Sequence, residues 1–214
     1  MNPLIGLVFF FGVLVVVVGG AVLLGRWQGN RTSANLAALA RDLGLQLRER
    51  PPALGIIPLA PTVSGRHGGR ELRLFTFSTG SGKSRQSWNA MGLACANPQG
   101  LTLQLGAQNF LTAFGVMLGM QDVQVGEPVF DGRFVVKTNA PEYLRAALLP
   151  ELRAELLRCW PQRGMGANVK LAGGEIVYAE LGSFADSGVV ERVKTMLAPL
   201  SALAVLPEVY SGGR

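Results

Sequence analysis

Residues 3–24 read PLIGLVFFFGVLVVVVGGAVLL and hold no charged side chain. In lipid only a helix or a closed barrel satisfies its own backbone, so the run predicts a membrane-spanning helix despite its β-branched valines. At 1.5 Å per residue it would reach about 33 Å, matching a hydrocarbon core of about 30 Å. A cleaved signal peptide fits less well. It needs a basic start and a shorter apolar stretch, whereas this chain opens Met1-Asn2. Trp27 comes soon after the run and suits a membrane interface. Arg26, Arg31 and Arg41 lie on the C-terminal side and nothing basic precedes the run. The positive-inside rule then places the N-terminus outside and the remaining chain in the cytoplasm.

This one feature divides the chain. The sequence predicts an anchor over 1–25, a juxtamembrane linker over 26–32, an α+β domain over 33–206 and a tail over 207–214. About 190 residues beyond the anchor suit one domain with its own core. The net charge of +6 belongs wholly to that part, since no Lys, Arg, Asp or Glu occurs before Arg26. Its basic residues are scattered rather than clustered. That favours attraction to anionic lipid and gives no nucleic-acid motif. Cys95 and Cys159 belong to no C-x-x-C pair, and His67 is the single histidine. The two cysteines read as small buried apolar side chains, and no metal or cofactor is expected.

Local patterns sketch the domain. Ser33 reads as the N-cap of a helix carrying Leu36, Leu39, Ala40 and Leu43, with Gly44 at its end. PPALGIIPLAP, with its four prolines, reads as an irregular surface connection. GRELRLFTFS, SRQSWNAMGLACA and LTLQL read as strands, the last after an Asn97-Pro98-Gln99-Gly100 turn. FLTAFGVMLGM is apolar nearly all round and reads as a core helix. QDVQVGEPVFDGRFVVKTN reads as two short strands. NAPEYLRAALLPELRAELLRC predicts two short helices or a kinked one, with Asn139 as N-cap, Glu142 in a capping box and Pro150 at a first turn. NVKLAGGEIVYAEL predicts a hairpin at Gly173-Gly174. A last helix opens at Asp186, with Pro199 a source of a kink. Strands and helices in runs indicate α+β with a mostly antiparallel sheet.

Gly82-Lys83-Ser84 spells the end of a phosphate-binding loop. A true P-loop needs glycine where Phe77 stands, and a helix after the Lys-Ser to hold phosphate on its free N–H groups. The next twelve residues, RQSWNAMGLACA, read as a strand, so Gly80-Ser81-Gly82 is hairpin chemistry. A weaker ligand role remains: Lys83 and Arg85, at a glycine-rich tip, are candidates to touch an anionic headgroup or phosphate. No catalytic residue is nominated. His67, between Gly65 and Gly68, reads as a loop histidine without an orienting carboxylate. Asp122, Glu127 and Asp131 match no cation loop, and Asp131 reads as a turn former.

FDGRFVVKTNAPEYLRAALLPELRAELL, residues 130–157, resembles a stretch of bacterial membrane-anchored proteins of unknown function. Their pattern runs F-[DE]-x-x-F-x-V, then a helix ending near L-L-x-P. Phe130, Asp131, Phe134 and Val136 match the first part, at strand positions, and Leu148, Leu149 and Pro150 the second. The resemblance implies an anchored bacterial domain, single-pass in the inner membrane, and carries over no catalytic residue. The expected role is a membrane-tethered, non-enzymatic domain that binds or scaffolds a protein partner, with the bilayer held through residues 3–24. The alternatives are an enzyme acting on a lipid or membrane-associated substrate, or peripheral recognition of anionic lipid by basic residues.

Overall fold

Gly44 ends the first helix as a Schellman stop. Its φ of 66° is in the left-handed region, Leu45 N–H donates to Ala40 O at 2.7 Å, and Gly44 N–H donates to Arg41 O. The computed structural model describes residues 20, 23, 25, 27–48, 61–107, 119–162 and 166–212. Helix α1 covers 27–42. The strands are β1 (Gln46–Arg48), β2 (Thr62–His67), β3 (Arg70–Thr79), β4 (Gln86–Ala94), β5 (Leu103–Gly106), β6 (Gln121–Val123), β7 (Val135–Thr138), β8 (Ala167–Ala172) and β9 (Glu175–Leu181). Helices α2 (Pro128–Asp131), α3 (Pro141–Ala147) and α4 (Pro150–Cys159) lie between β6 and β8, and α5 (Ser187–Val209) comes last.

The described strands make one sheet in the order β1-β2-β3-β4-β9-β8-β5-β7-β6, every neighbouring pair antiparallel. The α+β class with an antiparallel sheet is therefore present. The membrane-spanning helix expected over 3–24 is corrected: among the described residues no helix is long and apolar enough to cross a membrane. Residues 1–19 lie outside the described residues. α1, which follows that stretch, uses its apolar stripe inside the domain. Leu36, Leu39 and Ala40 are buried in the core, Asn35 Nδ2 donates to Phe184 O at 2.7 Å, and Asp42 pairs with Lys194 of α5 at 2.5 Å. The same helix runs unbroken through 27–42, so Ser33 is not its N-cap and the stretch read as linker is helical.

The core lies between the helices and one face of the sheet. Strand alternation sends Leu72 and Leu74 of β3, Met91 and Leu93 of β4, Ile176 and Tyr178 of β9, Val169 and Leu171 of β8 and Leu103 and Leu105 of β5 to that face. There they meet Leu36 and Leu39 of α1, Leu144 of α3, Leu156 of α4 and Val193, Met196, Leu200 and Leu203 of α5. Each such side chain contributes roughly 1.5–3 kcal/mol by leaving water. Pro150 opens α4 as expected, and Asp186 caps α5 by accepting from Gly188 N–H. α5 continues through Pro199 to Val209, past the expected start of the tail.

Several local readings change. Asn139 does not cap α3, whose N-cap is Ala140. Its side chain accepts from Thr102 N–H and donates to Gly100 O, pinning the loop before β5. Between β6 and β7 the chain makes one helical turn, α2, so Phe130 and Asp131 are helical rather than extended. His67 ends β2 opposite Arg70, and Gly68 and Gly69, with φ of 56° and 81°, form the two-residue turn that joins β2 to β3. The apolar segment 110–118 and the proline-rich segment 51–60 lie outside the described residues.

Candidate functional site

β3 is apolar on both faces. Leu72 and Leu74 go to the core, while Arg73, Phe75 and Phe77 go to the opposite face. β4 alternates Met91 and Leu93 in the core with Ala90, Gly92 and Ala94 on that same opposite face. β9 places Val177, Ala179 and Leu181 beside them, and β8 places Asn168, Lys170 and Ala172 next in line. Large side chains on β3 and on β8–β9 thus flank a strip of the smallest ones. The result is a trough across the middle of the sheet, on the face away from the described helices.

The open part of the trough is a cleft of about 290 Å³, lined by Phe75, Phe77, Lys170, Ala172, Glu175 and Val177. That is near the lower end of small-molecule sites and suits a slender apolar group. Trp88 closes its aromatic end, stacked nearly parallel to Phe77 with centroids 6.2 Å apart and its Nε1–H on Thr79 Oγ1 at 2.8 Å. At the other end an ion pair bridges the trough. Arg73 Nε and Nη2 donate to Glu175 Oε1 and Oε2, each at 2.5 Å, and the guanidinium lies 4.5 Å from the centre of the Phe75 ring. The Glu175 hydrogen bond holds the Arg73 pKa above its ordinary range. The bridge passes over Gly92, where a Cβ would come within 2.2 Å of Glu175 Oε1. A side chain at this position would push the Glu175 carboxylate aside, so glycine leaves the space in which the bridge sits.

Lys83 and Arg85 stand elsewhere on the same hairpin. Gly82–Ser84 is a single 3-10 turn at the β3–β4 tip, all of it exposed, with Ser84 Oγ donating to Ser81 O at 2.8 Å. Gly80 has φ of 75°, and a Cβ there would lie 2.5 Å from Ser84 O. A strand follows Arg85 rather than a helix, so the helix that a phosphate-binding loop leads into is not there. Lys83 and Arg85 are exposed and do not line the cleft. Phe77, however, lies only two residues before the end of β3, about 7 Å along the strand from Thr79.

The carboxylates read from the sequence do not converge. Asp122 pairs with Lys137 at 3.1 Å and Glu127 with Arg153 at 3.3 Å. Asp131 accepts from Val125 and Gly126 N–H, both at 2.9 Å, which is the turn role expected of it. Among the described residues no group of three or more His, Cys, Asp or Glu could hold a metal ion.

Two other cavities have mixed polar and apolar linings. One, of about 520 Å³, lies between α1 and the β9–α5 loop, with Arg31 over the Trp27 ring at 4.3 Å. The other, of about 460 Å³, lies beside Trp160 and Arg192. Behind it the buried Glu180 accepts from Tyr178 Oη at 2.7 Å and Arg192 Nε at 3.0 Å. Burial pushes the Glu180 carboxyl up, and the bonds from Arg192 and Tyr178 pull it back. This network is internally satisfied and joins α5 to the sheet.

Sequence patterns alone do not reveal the trough as a site. Its signal lies in RELRLFTFS, apolar at both parities, and in NAMGLACA, where small residues recur at every second position.

No protein-family model matches the sequence, and no curated protein does. The fold is similar to the crystal structure of the mycobacterial trehalose monomycolate transport factor A, TtfA, with a TM-score of 0.57 over 88% of this chain and 99% of that one. At 12% sequence identity the likeness is one of fold.

Proposed function

We propose that this chain is a non-enzymatic accessory factor in lipid transport, which works with a protein partner and receives the acyl part of a lipid in the sheet trough. The cleft carries the reading: two phenylalanines, a valine and an alanine line it, with Lys170 and Glu175 the charged residues of its wall. A slender hydrocarbon meets apolar walls there and needs no polar partner along its length. The fold shared with a protein named for trehalose monomycolate transport supports the choice of a lipid. Lys83 and Arg85 at the neighbouring tip supply positive charge where an anionic headgroup or an anionic membrane surface would lie.

The test is equilibrium binding of dodecanoic acid to the purified full chain, with displacement by a trehalose monoester of similar chain length. Both ligands bind the wild type. Val177→Lys, which places a charge in the trough wall, weakens both by about tenfold or more while circular dichroism and melting stay unchanged. Absence of binding, or equal binding by the variant, removes the proposal.

A further inference from the structure

Phe184, in the loop between β9 and α5, is tied to the fold on both sides of its backbone. Its N–H donates to Asn89 Oδ1 at 3.0 Å, its C=O accepts from Asn35 Nδ2 at 2.7 Å, and the residue is fully buried. Asp186 N–H donates to Ser183 O at 2.9 Å and Ala185 N–H to Ser183 Oγ at 3.1 Å, which sets the shape of the loop. This loop and the first turns of α1 wall the cavity of about 520 Å³, on the helix side of the sheet and away from the cleft. The volume is that of a small-molecule site, and the walls are held before anything binds. Trp27, Gln28, Arg31 and Asn35 line it from α1, and Asp186 and Ser187 from the other side. Trp27 is 54% exposed, with the Arg31 guanidinium 4.3 Å from its ring centre. Among the described residues, Arg31 and Asp186 line one cavity yet form no ion pair, with each other or with any third group. Asp186 uses Oδ1 to accept from Gly188 N–H at 2.8 Å, and Asn35 uses only its Nδ2.

We infer that this cavity is a carbohydrate site, in which a sugar ring lies against Trp27 and its hydroxyl groups bond to Arg31, Asn35 and Asp186. The charges select the class. An anion drawn by Arg31 meets the Asp186 carboxylate, and a cation drawn by Asp186 meets Arg31. Asp186 already caps α5, so the end of that helix is not open to a phosphate. A small zwitterion matches both charges but leaves the indole face bare. A neutral ligand rich in hydroxyls opposes neither charge. Each hydroxyl both donates and accepts, so it suits a guanidinium that only donates and a carboxylate that only accepts. A sugar also has an apolar face of C–H groups, which packs on the electron-rich face of an indole. Bonds to Arg31 and Asp186 are of the stronger, charge-assisted kind. The side chains of the site other than Asn35 are open to water, which holds the affinity in the millimolar range.

The experiment titrates the full chain with glucose, mannose, galactose and maltose, followed by calorimetry and by tryptophan fluorescence. Of the three tryptophans, Trp88 and Trp160 are buried, so a change in emission on binding reports Trp27. The wild type is expected to bind at least one of these sugars with a dissociation constant below about 50 mM, and neither inorganic phosphate nor serine displaces it. Asp186→Asn keeps the helix cap, because asparagine caps as well as aspartate does, so this variant melts with the wild type yet binds the sugar about fivefold more weakly. Trp27→Ala binds it about tenfold more weakly by calorimetry. If no sugar of the four binds below about 50 mM, or if phosphate or serine displaces the sugar, the cavity does not read hydroxyl groups and the inference is wrong. Wild-type affinity in either folded variant places the sugar elsewhere and overturns it equally. The wild-type titration decides the matter even where a variant does not fold, and each of these outcomes leaves the reading of the cleft as it was.

Discussion

Glu208, near the end of α5, is the contact through which that helix grips the β2–β3–β4 side of the sheet. Arg70 donates to it from both Nη1 and Nη2, the latter at 2.7 Å, and Ala96 N–H donates to Oε1 at 3.2 Å. The Arg70 hydrogen bond, helped by Ala96 N–H, holds the Glu208 carboxyl at about 2 instead of the ordinary 4.5, while desolvation opposes both. The folded-state value is depressed. The stabilisation is therefore present above pH 4.5 and is lost as pH falls from there toward about 2. At roughly 1.4 kcal/mol per decade the ceiling is about 3 kcal/mol. The side chains of Arg70 and Glu208 are 22% and 30% exposed, so solvent screening reduces the effect to about 1 kcal/mol. Glu208→Gln keeps the shape and removes the charge. Urea unfolding followed by circular dichroism should show the variant less stable by about 1 kcal/mol at neutral pH. The gap should close as pH approaches about 2, because the wild type is losing the same charge there. Added salt should also narrow it. A gap of constant size from neutral to acid pH would mean that Glu208 acts by packing, and the charge argument would be wrong.

Two further outcomes are expected. Leu39→Ala, in a fully buried position of α1, should cost about 2–5 kcal/mol in chemical denaturation, because this helix is part of the domain core; a cost near zero would show that α1 does not pack on the sheet in solution. Gly92→Ala should displace the Glu175 carboxylate from above the strand, costing about 0.5–1 kcal/mol and removing the salt dependence that the Arg73–Glu175 pair confers, as read by melting at low and high ionic strength.

Much of this fold follows from short-range rules that a sequence displays. The Schellman stop at Gly44, the Asp186 cap, the Gly173 turn and the helix start at Pro150 each rest on one residue's backbone chemistry, and each is where the residues indicate. The failures share a different cause, because they depend on what a side chain meets far along the chain. Asn139 and Glu142 have the spacing of a capping box, yet Asn139 bonds to Gly100 and Thr102 on the loop before β5. Ser33 looks like a helix start, yet α1 has already formed, and its stripe of Leu36 and Leu39 rests on a sheet whose strands come later. The trough is the least legible feature, since its walls come from β3, β8 and β9, about a hundred residues apart in sequence.

The sheet's two faces answer to different demands, and β4 shows this within one strand. Its core side carries Met91 and Leu93, packed under the helices; its other side carries Ala90 and Gly92. Small residues in a central strand forgo contacts that valine or isoleucine would make, and glycine adds an entropic cost to folding. The helix-covered face holds the chain's main cluster of buried side chains, so stability does not require the second face to be filled. What the small side chains do provide is depth. With Ala90, Gly92 and Ala179 between Phe75, Phe77 and Val177, the larger side chains stand above a buried floor of small ones, and the open channel is the stretch lined by Phe75, Phe77, Ala172 and Val177. Filling that floor with larger apolar residues would strengthen the sheet by ordinary packing rules and erase the channel, which sets stability and ligand binding in opposition at the same positions.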